Sequence, residues 1–142
     1  MQRLIIGLIT ILFFNCNGLE EGENRVQLQE STKDYLQNTC ESYGFDSYQV
    51  IQSIEDDRKT LNIELITTGK LPIQIGEDQP MEQELGNRVF KSLDSQERRE
   101  YASVVVWFVE DQDRLIVKKR YAEAQEFSVS GDQLASFQII SD

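Results

Sequence analysis

Tyr101-Ala-Ser-Val-Val-Val-Trp-Phe-Val-Glu110 is the stretch that decides the fold of this chain. From Val104 to Val109 every residue is apolar, and each is either β-branched or aromatic. A strand alternates its side chains, so Val104, Val106 and Phe108 face one way and Val105, Trp107 and Val109 the other. A run apolar on both faces belongs in the middle of a sheet with cover on each side, and this one is too short for an ordinary helix. It is expected to be the central strand of a small domain.

The flanks supply its neighbours. Downstream, Asp111-Gln112-Asp113 reads as a turn, and Arg114 to Tyr121 as a strand with Leu115, Val117 and Tyr121 inward. Phe127 and Val129 suggest a last strand, and Leu134, Phe137, Ile139 and Ile140 a packed tail. Upstream, Met81, Leu85, Val89 and Leu93 step by four with Phe90 beside them, which predicts a helix from Gln79 or Pro80, with Asp78 as cap. Asp94 to Glu100 extends or caps that helix, and Gly86 on it allows a close approach to another element.

Further back, Thr60 to Thr67 alternates Leu61, Ile63 and Leu65 inward against Asn62 and Glu64 outward. Glu55 to Lys59 is a polar turn joining it to a strand from Ser47 to Ile54, so the two form a hairpin. Gly69 to Gly76 holds at most a short edge strand, since Pro72 bars it from a sheet centre. A first helix places Leu28, Thr32, Tyr35, Leu36, Cys40 and Tyr43 on one face and stops at Gly44, with both tyrosines packed. The expected class is α+β: two helices packed on an antiparallel sheet of four to five strands. Ile54-Glu55-Asp56 and Val109-Glu110-Asp111 hint at an α-β-β duplication.

The first residues tell a different story. Met1-Gln2-Arg3 gives a short positive start, and Leu4 to Phe14 is a charge-free run with the length of a signal-peptide core, too short to span a bilayer. Phe13-Phe14-Asn15-Cys16 closes that run, and Asn17-Gly18-Leu19-Glu20-Glu21-Gly22-Glu23 follows. A cysteine in this place resembles the signal of bacterial lipoproteins, over residues 1–16 only. Phe13 and Asn15 stand where the common pattern has Leu and a small residue, whereas Bacteroidota signals are looser and the acidic stretch is similar to their surface-export signal. The resemblance implies that Cys16 is acylated and becomes the new N-terminus in the cell envelope, the outer membrane being favoured over the inner. Two alternatives stay open: cleavage after Gly18 to give a secreted protein, and an unprocessed cytosolic chain. The expected organisation is a signal peptide at 1–16, a polar tether at 17–24 and one domain at 25–142.

Composition narrows the chemistry. With 25 acidic and 14 basic side chains the formal net charge is −11, which repels nucleic acid and anionic headgroups and favours a basic partner or a cation. Histidine is absent, which removes Ser-His-Asp and Cys-His catalysis and the commonest transition-metal ligand. No enzyme, cofactor or metal is expected. Once Cys16 is acylated, Cys40 is a lone thiol without a basic sequence neighbour, and so a small core residue. The acidic turns Glu55 to Asp57 and Glu110 to Asp113 would gather carboxylates for Ca²⁺ or glycoside hydrolysis only if the hairpins converge, and solvated turns are the simpler reading. Lys118 and Arg120 share a strand face and would pair with acidic neighbours or bind an anion. If one face of the central strand lacks cover, Val105 and Trp107, together with Lys118 and Arg120, are the expected partner surface. The functional expectation is an envelope-anchored binding or accessory module, touching the bilayer through Cys16 and an unidentified protein through its domain. The alternative is an acidic inhibitor or immunity-type protein that neutralises a basic toxin or enzyme.

Overall fold

In the computed structural model, described over residues 24–73, 79–114 and 117–139, helices pack on one five-stranded sheet. Side chains at 79–80, 113–114, 117–121 and 135–139 are left out of that description. The order is α1 (Glu30–Tyr43), β1 (Ser47–Glu55), β2 (Arg58–Thr67), α2 (Gln79–Ser92), the single turn α3 (Ser95–Arg98), β3 (Tyr101–Arg114), β4 (Val117–Ser130) and β5 (Gln133–Ile139). The class is α+β, and α-β-β occurs twice in that order before β5. Expectations for Gln74 to Gly76, Asp78, Leu115 and Ile140 lie outside the described residues.

The strands lie side by side in chain order, β1 to β5, so β3 is central as its composition requires. The sheet is mixed, not wholly antiparallel. Three neighbouring pairs are antiparallel, but β2 and β3 run parallel, with Leu61 beside Val104, Ile63 beside Val106 and Leu65 beside Phe108. The reason is the connection. A helix between two neighbouring strands carries the chain back along the sheet before the next strand starts, which makes the pair parallel.

Both main helices and the even-numbered face of β3 share one core. Leu36 and Cys40 of α1, Leu85, Val89 and Phe90 of α2, Leu61, Ile63 and Leu65 of β2, and Val104, Val106 and Phe108 of β3 belong to one buried cluster. Phe45 stacks on Phe108 with ring centroids 5.5 Å apart. Each such side chain contributes on the order of 1.5–3 kcal/mol by leaving water. Gly44 ends α1 in the left-handed conformation at φ 82°, and its N–H and that of Phe45 both donate to the Cys40 carbonyl at 2.9 Å. Gly86 faces β4 and β5: a Cβ there would sit 3.6 Å from Leu134 and 3.7 Å from Phe127. Asp94 caps α3, its Oδ1 accepting from the Gln96 and Glu97 amides at 2.9 and 2.8 Å.

Four expectations need correction. Glu110 to Asp113 is not a turn, because β3 runs on to Arg114 with Asp111 opposite Arg120 and Asp113 opposite Lys118 in register. Acidic residues are favoured in hairpin turns but do not bar a ladder, so composition alone does not mark where this strand ends. Phe127 and Val129 continue β4, and the expected tail forms β5 after a turn at Gly131, φ 65°. The segment 69–73 is no strand, although Leu71 and Ile73 pack against the core. Tyr43 is not packed away: it is 37 % exposed.

The β1–β2 turn is tight. Asp56 and Asp57 both have positive φ, 49° and 62°, between the register partners Glu55 and Arg58. Two residues at positive φ suit Asn-Gly far better than two aspartates. Replacing both, Asp56→Asn with Asp57→Gly, is expected to stabilise the chain by about 1 kcal/mol, read as a higher urea midpoint at unchanged slope. A lower midpoint would mean that these carboxylates serve an interaction elsewhere.

Candidate functional site

The alternation that buries Val104, Val106 and Phe108 against the helices turns Val105, Trp107 and Val109 to the second face of the sheet, away from α1 and α2. Register fixes their neighbours there. Val105 lies between Asn62 of β2 and Glu126 of β4, Trp107 between Glu64 and Ala124, and Val109 between Ile66 and Ala122. Asp111 and Asp113 follow on the same face, and so do the positions of Arg120 and Lys118 opposite them. The register thus aligns the four positions singled out from the sequence along one side of the β3–β4 ladder.

They are not equally accessible. Val105 is 5 % exposed and Val109 1 %, so neither offers a contact surface as it stands. Trp107 is half-buried. Its indole N–H donates to Asn62 Oδ1 at 3.0 Å, and Asn62 Nδ2 donates to Ser53 Oγ at 2.9 Å. This chain of hydrogen bonds ties β3 to β2 and β2 to β1. It satisfies the indole and fixes its orientation, and a pre-oriented aromatic loses little entropy when a partner covers it. On the β4 side the register partners of Trp107 and Val109 are the small residues Ala124 and Ala122.

The sequence reading missed Asn62 and Ser53. Strand alternation places Asn62 and Glu64 outward, yet Asn62 is only 9 % exposed and Glu64 7 %. The available signal was an amide in the interior of a strand, where Asn is disfavoured unless its side chain has a partner. Asn62→Asp is therefore expected to destabilise the chain: the charge would be nearly buried, and Ser53 would lose its amide donor.

The acidic segments do not converge. Because β2 and β3 are parallel, Glu55 to Asp57 sits at the start of β2 and Glu110 to Asp113 at the far end of β3. That geometry removes a shared Ca²⁺ cage and a paired-carboxylate cleft built from them. Among the described residues no group of three or more Cys, Asp or Glu is placed to hold a metal ion.

Cys40 is 1 % exposed on the core face of α1, and burial, followed by the charge of Glu41, pushes its thiol up to about 11. A thiol so held is almost wholly protonated at neutral pH and is a poor nucleophile. Native-state modification by a thiol reagent is expected to be slower than in urea by a factor of at least about 100, set by local opening. Comparable rates in the two states would place the thiol at the surface.

No family model, no curated protein and no solved structure matches the chain.

Proposed function

We propose that the chain is an envelope lipoprotein held at the membrane through acylated Cys16, with its α+β domain serving as a binding or accessory module. The observation that carries this reading is Cys16 itself, placed at the end of the charge-free run from Leu4 to Phe14 and followed by a polar, acidic leash. One acyl chain holds a protein only marginally, whereas two or more hold it stably, so a diacylated cysteine suits a resident of the envelope. Trp107 is the proposed contact for the partner. It is the single tryptophan of the chain, half-buried, with its N–H already satisfied by Asn62. Trp in that state is a frequent energetic centre of protein interfaces.

A photo-crosslinking residue at position 107 of the full chain in its own envelope tests the proposed contact. It is expected to trap one defined envelope protein, and the same residue at exposed Gln37 on α1 is not. Equal trapping at both positions, or none at 107, would remove the Trp107 face from the account. The net charge of −11 favours the second reading, an acidic inhibitor of a basic toxin or enzyme, in one respect: association with such a partner slows steeply as salt rises.

A further inference from the structure

The helical side of the domain carries a second surface that the Trp107 reading does not use. Tyr35, Asn38, Ser42 and Tyr43 of α1 and Met81 and Glu84 of α2 line a cleft of about 250 Å³ between the two helices. Tyr43 is 37 % exposed, and Glu84, Asn38 and Ser42 are exposed as well. Burial first, and then the charge of Glu84, push the Tyr35 phenol up, so that carboxylate looks across the gap between the helices at the tyrosine side. Arg88, one turn beyond Glu84, lies 5.0 Å from the centre of the Tyr35 ring. Elsewhere Lys59 lies 4.7 Å over the ring of Tyr101. The molecule thus already seats two of its own cations on tyrosine faces. Tyr43 is exposed at this cleft with Glu84 beside it in the lining, and Asp34 and Glu41 are exposed on α1.

We infer that the α1–α2 cleft receives an Arg or Lys side chain projecting from a basic partner protein, with the ring of Tyr43 under the cation and Glu84 as its counter-charge. Three features fit this occupant. An aromatic face and a carboxylate together suit a cation and disfavour an anion. Tyr is enriched at interface centres, and Tyr43 is exposed at this cleft, whereas Met81 is 8 % exposed and belongs to the core. The surrounding field of an acidic protein raises the local concentration of a basic partner. The inference does not depend on where the chain is anchored.

The test is an NMR titration of the full chain with two probes. One is N-acetyl-arginine amide, and the other is a peptide carrying a single Arg between lysines; N-acetyl-glutamine amide is the neutral control. Both cationic probes are expected to shift the amides of Ser42, Tyr43, Met81 and Glu84 saturably, the peptide more tightly, and the control is not. Glu84→Gln and Tyr43→Leu should each weaken peptide binding by about fivefold or more, while Tyr43→Phe, which keeps the ring, should bind as the parent does. These positions are exposed, so the variants are expected to keep the parent melting temperature. Shifts spread without saturation over the acidic surface, or full binding by Tyr43→Leu, would overturn the inference. So would peptide binding no tighter than that of the free amide, which would mark a site for small cations instead of a protein.

Discussion

Val106→Asp is expected to destabilise the domain by about 4–5 kcal/mol, enough to leave much of the chain unfolded. Val106 is fully buried on the central strand, with Ile63 and Gln125 as its register partners and the helices above it. No cationic residue is among those neighbours, so the carboxylate would be desolvated without a counter-charge. Val105→Asp is expected to cost less, about 2–3 kcal/mol, because the second face has no helix of the described residues packed on it. It still costs something: Val105 is 5 % exposed and its neighbour in register is already a carboxylate, Glu126. Urea unfolding of both variants measures the difference. Equal losses would mean that the two faces are covered alike, and an unperturbed Val105→Asp would make the whole second face a solvent-facing surface.

Gln125→Leu is expected to act in the opposite direction. Gln125 is fully buried on the helix-facing side of β4, and among the described residues neither its amide oxygen nor its nitrogen has a hydrogen-bond partner. An amide carried out of water without a partner costs about 1–3 kcal/mol, and leucine of similar size removes that cost. The melting temperature should rise by roughly 3–10 °C for a domain of this size. Gln125→Met, which keeps the unbranched shape, should give a gain of the same sign. If both variants lose stability, the amide has a bonding partner in solution. The space under α2 would then be a polar site, with Glu82, also fully buried on that helix, beside the question.

The central strand was legible because its composition leaves few alternatives: six consecutive β-branched or aromatic residues fit only a strand buried in a sheet. The two helices were equally legible from their apolar spacing and from Gly44 as a stop. Strand direction was not. Local pattern says where strands lie, whereas the parallel pairing of β2 with β3 is set by the path of the chain through α2. Charge was the second source of error. Asp111 and Asp113 have the composition of a turn, whereas the strand that pairs with them, with Arg120 and Lys118 at the register positions opposite, starts only at Val117. The site was half legible. Alternation alone put Trp107 on the face opposite the core, but the bond from its indole to Asn62 crosses between strands 45 positions apart. No local pattern carries that information.

The membrane anchor is the claim on which the functional reading turns, and metabolic labelling with a fatty-acid analogue followed by fractionation tests it most directly. The parent chain is expected to be labelled and to sediment with the membranes, and Cys16→Ala to lose both the label and the membrane association while the domain still folds. Persistent labelling of Cys16→Ala, or a parent chain that is unlabelled and released after cleavage at Gly18, would contradict it.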